Sequence, residues 1–262
     1  MNRTLRKRAK RLRKKAADSL AKMNSGDLQT VSNRMSSEQY CSTLELFETP
    51  QFKTPSELAR HLASSLMSAT EKMEEEQVPN FVPACKFQEI DCCAGCACCC
   101  HEPLQVSILD AISVAAHLLD QGKASEALPG LQEYEASIAH LGSSRESLKQ
   151  SFDPCPFLDP QNRCTVYSAR PVICRAFHST NVGRCEEIVD QESPNRDVPM
   201  FTGLFGFRGL RLTGARKALK DLGLDDRPVV LARAVKLLLQ DFDGIVEAWL
   251  DGKDCFDNVA VI

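Results

Sequence analysis

Residues 92–101 read Cys92-Cys93-Ala94-Gly95-Cys96-Ala97-Cys98-Cys99-Cys100-His101. Six thiols within nine residues have few packing uses, because side chains that close in sequence cannot all bury apolar surface. As free thiols they would oxidise readily, and a metal that binds thiolates gives them a common partner. A looser set follows at Cys155, Cys164, Cys174 and Cys185, so ten of the thirteen cysteines fall in two clusters. The chain therefore reads as a metal protein, its fold organised around an irregular cysteine-rich core.

Within the dense cluster, Cys93-x2-Cys96-x2-Cys99-Cys100 is a C-x-x-C-x-x-C-C motif. Two intervening residues let the chain turn so that both sulfurs face one ion about 2.3 Å away. Cys99 and Cys100 are adjacent, and neighbouring side chains diverge, so one is expected on the first ion and the other on a second. Eight cysteines over two four-ligand sites, or over one polynuclear site, are arithmetically consistent. Cys92-x3-Cys96-x2-Cys99 is an equally legal register, which leaves the choice between Cys92 and Cys93 open. Like charges disfavour ionisation at close range, so the metal-free protein is expected to hold neutral thiols and to be much less ordered.

Arg170 and Arg175 flank Cys174 and are expected to offset thiolate charge through charge-assisted hydrogen bonds. Pro171 fixes the turn that aims Cys174 inward, and Tyr167 and Phe177 read as shields. His101 and His178 are reserve ligands, since thiolates already fill the count. Cys41, Cys85 and Cys255 stand apart and read as ordinary cysteines.

The bulk properties set the compartment. No run of about 18 apolar residues occurs, so no membrane span is expected. The basic start has no apolar stretch after it and does not resemble a secretory signal. A cytoplasmic, reducing setting follows, which argues against a disulfide framework, and thirteen is an odd count besides. The net charge of −3 hides an asymmetry: residues 1–15 carry nine Lys or Arg and no acid. Removing those nine from the 32 leaves 23 basic against 35 acidic residues, a remainder of −12. The body is acidic and the arm basic; the arm reads as a solvated, frayed tail or as a contact for an anionic partner such as RNA or a ribosome.

The pattern along the chain is mainly α. Residues 23–53 are polar without a sustained period, so residues 1–53 read as a basic arm plus flexible linker and residues 54–262 as a helical metal-binding domain. Thr54-Pro55-Ser56-Glu57 starts a helix with Leu58, Leu62, Leu66, Ala69 and Met73 on one face. Ser107 through Asp110 opens another that Gly122 ends, and residues 131–141 follow as a shorter helix. The tail predicts helices over roughly 211–222 and 228–251. Gly203, Gly206 and Gly209 recur every third residue and read as close helix packing or a turn.

On these residues the chain resembles a known family. Gly95-Cys96-Ala97-Cys98-Cys99-Cys100, Cys155-Pro156-Phe157-Leu158-Asp159, Cys164-Thr165-Val166-Tyr167 and Arg170-Pro171-Val172-Ile173-Cys174-Arg175-Ala176-Phe177 are similar to the cysteine-cluster family named for its CxxCxxCC motif. The helix from Ser107 to Leu119 and the tail ending Trp249-Leu250-Asp251-Gly252 are similar too, so the resemblance spans about residues 85–256. It implies zinc or iron, an iron–sulfur cluster included, held by Cys93, Cys96, Cys99, Cys100, Cys155, Cys164, Cys174 and Cys185. Two other functions compete. One is an iron–sulfur protein-lysine methyltransferase, because flagellin lysine N-methylases look similar in this motif. The other is a zinc-folded interaction module that docks on RNA or a ribosome through the arm.

Overall fold

The computed structural model describes residues 3–23, 28–49, 51–76, 78–80, 82–93, 95–193 and 195–261. The fold is mostly helical. Helices α1 (Arg3–Leu20), α2 (Leu28–Glu48) and α3 (Pro55–Glu76) precede the dense cysteine cluster. Between the cysteine segments lie α4 (Ile108–Asp120), α5 (Ala124–Ser137) and the single turn α6 (Arg145–Leu148). Short helices α7 (Val172–Ala176) and α8 (Val182–Asp190) carry the last two clustered cysteines. Then come α9 (Thr202–Leu222), α10 (Leu231–Gln240) and α11 (Phe242–Leu250).

The expected start of α3 is present: Glu57 N donates to Thr54 Oγ1 at 3.1 Å while Glu57 Oε2 accepts from Lys53 N at 2.6 Å. Its Leu58, Leu62, Leu66 and Met73 are buried. Helix α3 packs against α2, α4, α9 and α11, and α10 packs between α4 and α5. Trp249, Phe47, Phe256, Leu44 and Ile112 lie fully buried in the shared core. A two-residue antiparallel ladder joins β1 (Gln105–Val106) to β2 (Val229–Val230), pinning the start of α4 beside the start of α10.

Three expectations are corrected. Much of the segment read as a linker is helix α2, with Tyr40, Leu44 and Phe47 in the core; residues 24–27 of that segment lie outside the described residues. The basic arm is docked rather than frayed: Ala9 is buried, and Leu5, Leu12 and Ala16 pack on the same core at helical spacing. Arg13 adds a two-pronged pair with Glu48 at 2.6 and 3.1 Å. The expected helix over 228–251 is two helices, because Asp241 turns out of helical geometry and its Oδ1 accepts from Gly244 N at 3.0 Å. An Asp side chain that bonds a backbone N–H two or three residues on competes with the helix and restarts it.

Smaller differences have the same local character. Helix α5 begins before Pro129, which sits inside it on an exposed face where water can reach the carbonyl left without its N–H partner. Gly203, Gly206 and Gly209 lie within α9, and a Cβ at Gly206 or Gly209 would meet nothing within 4 Å. The close approach is at Gly214, where a Cβ would stand 2.1 Å from the Ser36 carbonyl oxygen of α2.

A second, smaller apolar cluster positions the cysteine-rich layer. Met35, Met73, Val78, Val82, Phe201, Leu204 and Phe207 pack together, with Phe87 and Ile90 against them. It anchors the chain entering the dense cysteine segment onto the start of α9.

Candidate metal centre

The dense segment is a chain of tight turns. Cys96 N donates to Cys93 O at 3.2 Å, and Gly95 has φ +88°, a left-handed value that suits glycine. Cys98–Cys100 form one 3-10 turn, closed by Cys100 N to Ala97 O at 2.8 Å and His101 N to Cys98 O at 3.3 Å.

Backbone bonds fasten this segment to the second one at both ends. Cys155 N donates to Cys100 O at 2.7 Å, and Asp91 N donates to Ser179 O at 2.9 Å. Asp91 Oδ2 accepts from Val182 N at 2.8 Å, at the first turn of α8. Around Cys155 and Cys164 the chain doubles back, with Leu158 bridged antiparallel to Cys164 and Thr165 N bonded to Phe157 O at 2.8 Å. Asp159 closes that loop by accepting from the backbone N–H groups of Gln161 and Arg163, each at 2.9 Å. The Arg163 amide bond is the first reason its carboxyl is held below the usual range.

Two residues that the sequence did not connect with the cysteine clusters complete the frame. Asp110 is the capping-box residue of α4, bonded to the Ser107 hydroxyl at 2.6 Å and amide at 3.1 Å. Its other oxygen accepts from Val172 N at 2.9 Å, so it also holds the start of α7, which carries Cys174. Burial pushes its carboxyl up. Arg196 donates to His101 O at 3.1 Å, Lys149 O at 2.9 Å and Ser151 O, and lies over the Phe152 ring at 3.9 Å. A guanidinium fork satisfying three carbonyls clamps the exit of the dense segment to the chain before Cys155.

Every cysteine is a free thiol. Cys92, Cys96, Cys98 and Cys185 form one group, near Glu186. Burial, then Cys96, pushes the Cys98 thiol up to about 12. Burial also raises Cys185, and Cys92 against the opposing pull of an N–H bond from Ser179 at 3.0 Å. Cys155, Cys164 and Cys174 form the other group. Burial pushes Cys155 up to about 12, with Cys164 and Cys99 adding to it, and raises Cys164 and Cys174. Cys99 stands between the groups and acts on Cys92, Cys185, Cys155 and Cys174. It keeps exposed surface while being densely surrounded by protein, and its thiol is raised first by a hydrogen bond with Cys100 and then by burial.

The remaining expected residues are placed as follows. Cys93 is exposed. The positive charge of Arg170 acts on Cys99, Cys164 and Cys174; its guanidinium lies 4.4 Å from the centroid of the exposed Tyr167 ring, and its buried Nε has no partner among the described residues. Arg175 directs its fork to Arg170 O at 3.0 Å and Ser168 O at 2.9 Å, with Glu71 at 3.2 Å, and so shapes the loop before Cys174. Pro171 is the residue before the first turn of α7. His101 Nδ1 is hydrogen-bonded to Phe152 O at 3.1 Å. His178 Nδ1 is buried without a partner among the described residues, and burial, then Arg208, holds the ring's pKa below its usual value.

The donor chemistry fits zinc or iron, since both accept four thiolates and the nearby Arg170 offers a compensating charge. Among the described residues, however, no three Cys, His, Asp or Glu side chains stand as a ready cage. The thiols are gathered within electrostatic range of one another.

With the arrangement in view, comparison with known families finds one similarity. Residues 91–195 match the family model CxxCxxCC, described as "Putative zinc- or iron-chelating domain". The matched segment spans both cysteine clusters and is narrower than the resemblance over about 85–256. No curated protein and no solved structure matches the chain. Among the described residues no helix is long and apolar enough to cross a membrane.

Proposed function

We propose that this protein holds zinc or iron through about eight thiolates: Cys96, Cys99, Cys100, Cys155, Cys164, Cys174 and Cys185, together with one of the pair Cys92 and Cys93. One observation carries the reading: free thiols from sequence-distant segments share one region, and backbone bonds between those segments keep them there. Such a concentration of buried sulfur stabilises nothing by itself, because each thiolate raises the pKa of the next. A bound ion reverses that balance. Eight thiolates suit two four-ligand ions or one polynuclear centre. The adjacent Cys99–Cys100 pair favours more than one metal atom, and with it iron in an iron–sulfur centre. Arg170 offsets the excess negative charge. A reducing cytoplasm belongs to this proposal, since an oxidising compartment would pair the thiols instead. Anaerobic purification followed by elemental analysis and an absorption spectrum tests it. The expected result is stoichiometric iron with visible charge-transfer absorbance. A colourless protein with stoichiometric zinc removes the iron assignment, and a metal-free protein removes the whole reading.

A second reading, that the N-terminal helix docks on RNA or a ribosome, is favoured by a specific observation. Helix α1 spends its small apolar stripe on the body, while Arg3, Arg6, Lys7, Lys10, Arg11, Lys14 and Lys15 are exposed. A rigid cationic face suits phosphate neutralisation without base recognition. Deleting α1 would uncover core residues, so charge reversal at Lys7, Lys10 and Lys14 is the cleaner test. RNA binding should weaken at least about tenfold and lose salt dependence, with metal content unchanged. Unchanged RNA affinity removes this reading.

A further inference from the structure

Cys92 and Cys93 are adjacent, and spacing alone admits either as the first ligand: Cys93 completes C-x-x-C-x-x-C-C, and Cys92 completes C-x3-C-x2-C. The surroundings of the two sulfurs differ. Cys92 Sγ accepts a hydrogen bond from the Ser179 backbone N–H at 3.0 Å and lies where Cys96, Cys99 and Cys185 act on it. Cys93 is exposed, and its carbonyl serves the turn to Cys96.

The Ser179 amide is not a chance neighbour. Its peptide is held on every side: Ser179 O accepts from Asp91 N at 2.9 Å, Ser179 is bridged antiparallel to Met200, and Ser179 Oγ exchanges bonds with Asn181 N and O, each at 2.9 Å. Because Asp91 is paired to the same residue, the entry of the dense segment is registered on Ser179. Cys92 is turned toward Ser179 and Cys185, while Cys93 is left exposed. A backbone N–H aimed at a sulfur is the partner a metal thiolate takes, because it stabilises the charge without competing for the metal.

We infer that Cys92, and not Cys93, supplies the first thiolate of this segment, in a group with Cys96, Cys99 and Cys185 that the Ser179 amide orients. This rests on the metal-binding reading above. It also makes Cys100, Cys155, Cys164 and Cys174 the second group of four, so that the adjacent pair Cys99–Cys100 divides between them. Cys98 is the competing surplus thiol; it hydrogen-bonds Cys96 and neighbours Cys185, but among the described residues it has no backbone donor of the kind that Cys92 has.

Full-length Cys92→Ser, Cys93→Ser and Cys98→Ser variants, purified anaerobically, test this by metal content per chain, with circular dichroism reporting folding. Cys93→Ser and Cys98→Ser should keep the wild-type stoichiometry, and Cys92→Ser should fall to half or less. A Cys93→Ser or Cys98→Ser variant that loses metal overturns the inference, as does a Cys92→Ser variant that keeps it. Alkylation of the unmutated protein supplies a readout independent of variant folding. With metal bound, iodoacetamide should label Cys93 and spare Cys92 until a chelator is added; prompt labelling of Cys92 overturns the assignment. Failure of the wild type to hold any metal defeats the metal-binding reading itself and is distinguishable from all of these.

Discussion

Asp110 and Val172 are 62 positions apart in sequence, yet Asp110 Oδ1 accepts the Val172 backbone N–H at 2.9 Å while Oδ2 caps its own helix at Ser107. One buried carboxylate thus caps two helices, one belonging to the core and one carrying Cys174. The cysteine-rich layer hangs on the helical core at this point.

Removing that carboxylate should be felt in both places. Asp110→Ala leaves the Val172 and Ser107 donors unpaired, and a lost cap plus a buried unsatisfied donor costs about 2–4 kcal/mol. Chemical denaturation should report that loss, and metal content should fall with it. Asp110→Asn keeps one acceptor and should lose less.

Metal removal should act locally. The core around Trp249, Ile112 and Leu62 is built of apolar side chains, with Cys155 and Cys164 only packed against its edge, so most of its stability comes from burial that does not involve the ion. After chelation, amide exchange should speed up across residues 91–101 and 153–190 while α3, α4 and α10 stay protected. Equal acceleration in α10 would show that the ion holds the whole fold, as the cysteine count alone suggested.

Gly214 and Gly206 should respond with opposite signs to the same substitution. Gly214→Ala forces α2 and α9 apart, since the new Cβ would stand 2.1 Å from Ser36 O, and overpacking of this kind costs about 1–3 kcal/mol or more. Gly206→Ala meets open space within a helix, where alanine gains about 0.5–1 kcal/mol over glycine. Denaturant midpoints of the two variants decide it.

Asp225 should contribute an acid-sensitive share of stability. Burial pushes its carboxyl up, but the Arg227 side chain and amide, at 2.9–3.0 Å, outweigh this and hold it below its ordinary value. A depressed folded pKa stabilises the fold above the unfolded value of about 3.9, and that contribution is lost as the pH falls from there through the lower folded value. Asp225→Asn should flatten the stability–pH curve in that acid window and leave its shape near neutrality unchanged.

The helix starts at Thr54 and Ser107 were legible because caps and apolar spacing are local signals. Helix α2 was not, because it packs against α1, α3 and α9 on several sides, which blurs any single apolar stripe, and because Gln39 and Thr43 are buried among its apolar residues. The break at Asp241 was hidden under an apolar period that runs on from Leu238 to Phe242; only the side-chain bond to Gly244 interrupts it.

For the metal centre the division is similar. Soft donors, their number and their two-part distribution along the chain are properties of residue type and spacing, and the sequence alone determined them. The partners of each sulfur are set by contacts between segments remote in the chain. Spacing treats Cys92 and Cys93 as equivalent, and only the tertiary structure separates them, because the amide that faces Cys92 belongs to Ser179, 87 residues away.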